Sequence, residues 1–148
     1  MNDDLIRRLV VINQFLEQVL DESLRLSDIL LQSGFSSHDV ETIRNHHLEP
    51  FVDAVCDHLV AHLHEVLPQK RARVVSERFC LSTQDKPTLQ EIANDLGLSR
   101  ERIRQLQNVG MRRLRSRTQR AAVEEIVFTS AMRLLQPSGL RTGPLPTT

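Results

Sequence analysis

The sequence predicts an all-α protein whose second half contains a helix-turn-helix. Apolar residues recur at helical spacing through most of the chain, which is typical of amphipathic helices. Near residue 98, a glycine that can end one helix is followed by a serine that can cap the next. Hydrophobic residues make up 40% of the 148 residues, so the chain can bury a core and is not disordered as a whole.

The first half of the chain is predicted to contain four helices. Each has apolar residues at helical spacing, with ends marked by serine, aspartate, glycine or proline. We expect these helices at residues 4–22, from Ser27 or Asp28 to Gln32, from Ser36 or Ser37 to about His46, and at residues 51–66. The Glu49-Pro50 pair marks the start of the fourth, because a residue before proline avoids the helical conformation whereas proline suits a first helical turn.

The second half is predicted to contain a helix after Pro68, a loop, the helix-turn-helix and one more helix. The expected bounds are Gln69 to Phe79 for the first helix, Leu81 to Thr88 for the loop and residues 119–136 for the last helix. The helix-turn-helix is defined by Leu89, Ile92, Ala93 and Leu96, the Gly97 turn, the Ser99 cap, and the inward-facing Ile103, Leu106, Gly110 and Leu114. From Pro137 onward, the content of Pro, Ser, Gly and Thr predicts a disordered tail.

A second helix-turn-helix is an alternative interpretation of the segment from Leu30 to Ile43. Its glycine, serine and apolar residues have the same spacing as those between Ala93 and Leu106. Its outer face is polar to acidic and would repel phosphate; it comprises Ser37, His38, Asp39 and Glu41. The sequence therefore favours the simpler interpretation of two packed helices joined by a tight turn.

The formal net charge of zero conceals a strong polarity along the chain. Residues 1–66 contain 12 Asp or Glu against four Arg, whereas residues 67–120 contain 13 Lys or Arg against five acidic residues. The first segment therefore carries −8 and the second +8, which suits the second to a polyanion.

The composition also bears on location and on the cysteines. No apolar run is long enough to span a membrane and the acidic start is not a secretory signal, so we expect a cytoplasmic, nucleoid-associated protein without membrane contact. Cys56 and Cys80 are too few for a disulfide framework, and we expect reduced, buried thiols.

The outer face of the second helix of the helix-turn-helix carries side chains that can read base edges. These are Arg100, Glu101, Arg104, Gln105 and Asn108. Arg can bind O6 and N7 of guanine, Gln can pair with adenine, and Glu can accept from cytosine N4, all in a major groove wide enough for a helix. The pattern therefore predicts a protein that binds double-stranded DNA.

Three segments carry a resemblance to a known family: LPQKRARVVSERFCL from Leu67 to Leu81, TLQEIA from Thr88 to Ala93, and SRERIRQ from Ser99 to Gln105. In this order and spacing they resemble region 4 of the sigma-70 family of bacterial transcription initiation factors. The resemblance covers about Leu67 to Arg117. The chain departs from the usual residues of the family at Arg71, Cys80, Gln90, Val109 and Gly110.

The resemblance implies that the second helix reads the minus-35 element of promoter DNA. At matching positions, base contacts are expected from Arg100, Glu101, Arg104 and Gln105, and contacts with the DNA backbone from Arg78, Thr88, Leu89 and Gln90. Arg102 and Arg112 of the basic second helix are further candidates for backbone contact. It also implies contact with the flap of the RNA polymerase beta subunit, which needs exposed aliphatic residues. The candidates are Val74, Val75, Phe79 and Ile92, for which core packing is the more common role.

These observations predict an N-terminal helical domain, a sigma region-4-like helix-turn-helix bundle and an extra C-terminal helix. The expected divisions are residues 1–66, 67–118 and 119–136, followed by the tail at 137–148. The acidic domain is expected to bind a second protein, to self-associate, or to cover the basic helix. The arginines from Arg112 to Arg120 are expected to meet phosphates or this acidic half.

Other chemistry is not expected. His58 and His62 are spaced to share one side of a helix with Cys56 or His64 nearby, but without a CxxC or HExxH arrangement we predict no metal. No phosphate-binding glycine loop, nucleophile elbow or carboxylate pair is present, so we predict no enzyme and no cofactor. The absence of Trp and Tyr predicts that the chain does not capture unstacked bases and so does not open promoter DNA alone.

Three functions remain as hypotheses. The first is a transcription regulator that bridges polymerase and promoter DNA. The second is a dimeric helix-turn-helix repressor, which would protect two half-sites about one helical turn apart. The third is an inhibitor that binds polymerase in place of a sigma factor, and whose function would survive loss of Arg100 and Arg104.

Overall fold

All regular structure in the part of the chain that the computed structural model describes, residues 3–20, 25–79 and 88–135, is α-helical, which confirms the predicted fold class. The helices are α1 (Asp3–Leu20), α2 (Leu26–Gln32), α3 (Ser37–His46), α4 (Leu48–Val66), α5 (Gln69–Arg78), α6 (Leu89–Leu96), α7 (Arg100–Leu114) and α8 (Arg117–Leu135). The predictions for the loop after Leu81, for Cys80 and for the tail from Pro137 lie outside the described residues.

The start of α2 differs from the prediction that Ser27 or Asp28 caps it. Arg25 is the N-cap residue, and the Asp28 carboxylate accepts a hydrogen bond from the Arg25 backbone nitrogen at 2.9 Å. The Leu26 nitrogen donates to Oδ1 of Asn13 in α1 at 3.0 Å. Asp28 therefore acts from the third helical position, and a residue of another helix satisfies a free amide of the first turn.

The predicted caps Ser36 and Ser99 are present, and the structure adds a cap at Thr88 that was not predicted. Ser36, Thr88 and Ser99 accept hydrogen bonds from the backbone nitrogens three residues later, at 3.0 to 3.1 Å. Pro50 lies in the first turn of α4, and Gly97 ends α6 with a φ of 69°, a left-handed conformation that costs glycine little. These ends follow from neighbouring residues alone.

The larger of two hydrophobic clusters joins the first half of the chain to the second. It contains buried residues of α1 to α5, α7 and α8. The Phe15 ring of α1 meets the Phe79 ring edge to face, with centroids 5.2 Å apart, and both side chains are buried. The hydrophobic packing therefore crosses the boundary expected between residues 66 and 67. The division into two domains at this boundary remains a prediction from sequence.

A smaller cluster holds the helix-turn-helix together. It consists of the buried Val74, Ile92, Ala93, Ile103 and Leu106, with partly buried leucines around it. On the side of α7 that faces α5, a Cβ at Gly110 would lie 3.0 Å from Cγ2 of the buried Val75. The absence of a side chain at Gly110 therefore allows α5 and α7 to pack closely.

The segment from α2 to α3 has the local geometry of a second helix-turn-helix. The Phe35 nitrogen donates to Leu30 oxygen at 3.1 Å, as the Leu98 nitrogen donates to Ala93 oxygen at 3.0 Å. Gly34 has a positive φ of 106° before the Ser36 cap, which matches the order of Gly97 and Ser99. The turn of this segment therefore forms the same type of hydrogen bond as the turn between α6 and α7, while its outer face carries the polar to acidic side chains on which the preference for two packed helices rested.

Within the described residues, no helix is both long enough and apolar enough to cross a membrane. Cys56 is a buried free thiol in α4, and burial raises the pKa of that thiol. Beside it, Arg8 of α1 forms an ion pair with Asp53 at 2.7 Å. This ion pair links α1 and α4 in addition to their apolar contacts.

Candidate nucleic-acid interface

The helix-turn-helix presents one side of α7 to solvent. The inward side is fixed by Ile103, Leu106 and Leu114, which are at most 5% exposed. The opposite side contains the exposed residues Arg100, Glu101, Arg104, Gln105 and Asn108. Because the helical repeat separates the two sets, burial of the apolar stripe leaves the base-reading candidates of the first turns accessible.

Two of these side chains are paired with each other. Nε and Nη2 of Arg104 donate to the two carboxylate oxygens of Glu101 at 2.9 and 2.5 Å. The hydrogen bond from Arg104 lowers the pKa of Glu101 and so further favours the ionised carboxylate. These two hydrogen bonds hold the Arg104 side chain over the outer face of α7. Because the pair is exposed, Arg104 can readily exchange Glu101 for another acceptor.

Arg102 and Gln105 form a second, longer contact on α7. Nη1 of Arg102 lies 3.4 Å from Oε1 of Gln105, and both side chains are exposed. The amide oxygen of Gln105 therefore points toward Arg102, while its nitrogen remains a donor.

The candidates for backbone contact do not form one uniform set. Thr88 and Gln90 are exposed at the start of α6, where the Thr88 hydroxyl caps the helix and Gln90 donates to Asn94 at 2.8 Å. Leu89 is partly buried against the smaller cluster, and Arg78 is half-buried at the end of α5. The remaining two, Arg102 and Arg112, are exposed on α7.

The four candidates for polymerase contact are core residues. Val74, Val75, Phe79 and Ile92 are between 0 and 4% exposed. Their apolar surface is already covered by α1, α4, α6 and α7, since Val74 and Ile92 belong to the smaller cluster and Val75 and Phe79 to the larger one. In this structure the four side chains do not form an exposed groove, and their contact with polymerase stays a prediction from sequence.

Two arginines of the basic segment after α7 bind the end of α1. Nε of Arg115 donates to the carbonyl oxygen of Gln18 at 2.8 Å, and Nη2 of Arg120 donates to that of Leu20 at 2.5 Å. The last turn of α1 has no basic residue of its own. These side chains therefore satisfy free carbonyls at a helix end, a role that local sequence does not reveal.

The structure places His58 and Cys56 in different surroundings. Within the described ranges, no group of three or more His, Cys, Asp or Glu side chains could hold a metal ion. Nδ1 of His58 lies 2.7 Å from the Ala54 carbonyl oxygen, and Cys56 is buried among apolar residues.

The described residues contain a helix-turn-helix whose second helix, α7, exposes a polar and charged face. Comparison with protein families specifies the class, because residues 65–116 match the model of Sigma-70, region 4. The match supports a sigma-70 region 4 domain in this part of the chain, and the matched family is one of DNA-binding regulatory domains of transcription. The match also supports association with RNA polymerase in general terms. No solved structure matches the chain.

Proposed function

We propose that the protein is a transcription regulator that binds a minus-35-like promoter element through α7. The observation that carries the proposal is the exposed set of Arg100, Glu101, Arg104 and Gln105 on the first two turns of a helix whose other side is buried. Arg100 and Arg104 can each bind guanine with two hydrogen bonds, while Gln105 and Glu101 can contact adenine and cytosine.

The phosphate contacts are proposed around this helix. Arg102 and Arg112 extend from α7, and Thr88 and Gln90 lie at the start of α6, where free backbone amides favour an anion. Arg78 and Leu89 are retained as backbone candidates, although both are less exposed. Since Arg115 and Arg120 are engaged with α1, they are not part of the proposed phosphate set.

The test is selection of duplexes from a random pool, followed by titration of the selected duplex by fluorescence anisotropy. Arg100→Ala and Arg104→Ala are each expected to weaken binding of that duplex by about 5- to 100-fold and to leave non-specific binding within a few fold. Arg133→Ala is the matched control, because this arginine is exposed on α8 outside the helix-turn-helix. Equal loss in the control and the α7 variants would contradict base reading.

The same reagents separate this proposal from the other two functions. A footprint at one site favours the regulator, whereas two half-sites one helical turn apart indicate a dimeric repressor. An inhibitor that only binds polymerase would act equally well after Arg100→Ala and Arg104→Ala.

For polymerase contact we propose the partly exposed leucines of the helix-turn-helix in place of the four buried candidates. Leu96 and Leu98 pack against the smaller cluster while keeping some surface exposed. A helix of the polymerase beta flap is the proposed partner, because such a helix binds through aliphatic anchors. Leu96→Asp should abolish capture by an isolated beta flap and leave duplex affinity within a few fold; unchanged capture would contradict this surface.

A further inference from the structure

The N-terminal helix-turn-helix contains a cavity where the C-terminal one is closely packed. In the second half, α5 precedes the helix-turn-helix and packs against α7 at Gly110. In the first half, α1 precedes it, and a cavity of about 220 Å³ separates α1 from α3. Besides the charge of their outer faces, the two helix-turn-helix units therefore differ in how the preceding helix is packed.

The walls of this cavity are apolar. Leu30 of α2, Val40 and Ile43 of α3, and Phe51 of α4 line it, and each of these residues is at most 8% exposed. A cavity of about 150 Å³ with such walls accommodates benzene, so this one has room for an apolar body of roughly ten non-hydrogen atoms.

The mouth of the cavity is cationic. Arg25 and Arg44 line it together with Asn13. Asn13 uses its amide oxygen for the Leu26 nitrogen, and Arg44 is paired with Glu41 at 3.0 Å in an exposed ion pair. A ligand carboxylate can replace Glu41 as the partner of Arg44, because an exposed ion pair contributes little to stability.

We propose that this cavity binds a small aromatic or aliphatic carboxylate, with its apolar part between α1 and α3 and its carboxylate at Arg25 and Arg44. The apolar walls select the body of the ligand and the two guanidinium groups select its charge. The site lies outside the DNA-reading face of α7 and is defined without reference to promoter binding.

The experiment is a titration of the full chain with benzoate, followed by NMR of side-chain methyl groups at constant ionic strength. Saturable shifts are expected at Leu30, Val40 and Ile43 with a dissociation constant on the order of 1 mM. Benzyl alcohol, a neutral analogue of nearly the same shape, should bind at least about five-fold more weakly.

Three variants locate the site. Arg44→Gln should weaken benzoate binding by about 5- to 10-fold, and Glu41→Gln should strengthen it, because it frees Arg44. Val40→Phe should fill the cavity and abolish the shifts. Because Arg44 and Glu41 are exposed, their variants should fold. They therefore test the ligand site even if Val40→Phe does not fold.

Non-saturating shifts, shifts unchanged by Arg44→Gln, or equal binding of benzyl alcohol would overturn the proposal. The experiment measures ligand binding directly. A negative result with benzoate would therefore not affect the proposed promoter function, and a negative result with DNA would not affect the proposed ligand site.

Discussion

The guanidinium of Arg120 donates a hydrogen bond of 2.5 Å to the carbonyl oxygen of Leu20, one hundred residues earlier in the chain. Arg115, which lies between α7 and α8, donates a second hydrogen bond to the C-terminal end of α1. The basic residues there thus have two roles, because some bind the N-terminal helix and others remain available to DNA. Charge counts along the sequence cannot separate these roles.

The first prediction concerns this contact. Arg120→Ala should lower the free energy of unfolding by about 1 to 3 kcal/mol, because a partly buried carbonyl loses a charged donor. Urea denaturation followed by circular dichroism measures the change. Arg113→Ala is the control, since Arg113 is exposed at the end of α7, and it should stay within about 0.5 kcal/mol. Equal effects would contradict the assigned role of Arg120.

The second prediction concerns the contact between the two halves. Phe15→Ala should cost about 3 to 5 kcal/mol, because it removes a fully buried ring that packs on Phe79. Unfolding should remain a single transition, since one hydrophobic cluster joins both halves. Ile6→Ala, at a side chain that is 43% exposed, is the control. Two separate transitions in the wild type would instead support independent domains.

Local sequence was enough to predict the features that depend on neighbouring residues. The Ser36 and Ser99 caps and the Gly97 turn are set within four residues, so pattern and side-chain chemistry determine them. The order of helices and the outer face of α7 follow from helical periodicity in the same way.

Features that join distant residues could not be predicted in this way. The contact of Phe15 with Phe79 and the binding of α1 by Arg120 depend on how helices pack, which periodicity leaves open. Val74 and Ile92 were ambiguous for the same reason, because an apolar residue on a short helix can serve a core or a groove. The cap of α2 was missed because Asn13, on another helix, supplies one of its hydrogen bonds.

The third prediction explains the glycine in α7. Gly110→Ala raises helix propensity by about 1 kcal/mol, but its Cβ would meet Val75 Cγ2 at 3.0 Å. Val75 is fully buried and cannot readily move, so we expect a net loss of about 1 to 2 kcal/mol. In a double-mutant cycle, Val75→Ala should relieve the clash, so that the double variant loses less than the sum of the single ones. Strict additivity would show that the two residues do not limit the approach of α5 and α7.

The fourth prediction concerns the Glu101 and Arg104 pair. Glu101→Gln should increase binding of non-specific duplexes by a few fold at low salt, because it removes an anion and releases Arg104. It should also relax selectivity at one base pair, since Gln and Glu differ as acceptors. Anisotropy titrations with specific and random duplexes measure both effects, and Glu124→Gln on α8 is the control for charge alone.

The same pair predicts little pH dependence near neutrality. Arg104 lowers the pKa of Glu101 from its ordinary value of 4.5, so the carboxylate gains a proton only at still lower pH. Between about pH 5.5 and 8 Glu101 stays ionised, so its protonation does not change and cannot make DNA affinity depend on pH. A change in affinity in this range that disappears in Glu101→Gln would contradict the assigned pairing.

The fifth prediction compares the two helix-turn-helix units by matched substitutions. Ser36→Ala and Ser99→Ala each remove an N-cap hydroxyl whose bond to the third amide is 3.0 or 3.1 Å long. Each should cost about 1 kcal/mol of stability, because the two caps have the same geometry. Only Ser99→Ala should weaken DNA binding, by several fold, because it frays the start of the helix that carries Arg100 and Arg104.

This comparison separates local structure from function in one experiment. The segments from α2 to α3 and from α6 to α7 share cap, turn and hydrogen-bond pattern, whereas their outer faces differ in charge. Glu41 on α3 would repel phosphate, while Arg104 on α7 attracts it. If Ser36→Ala weakened duplex binding as much as Ser99→Ala at equal stability, α3 would also lie on DNA, and side-chain charge would not be what distinguishes the two units.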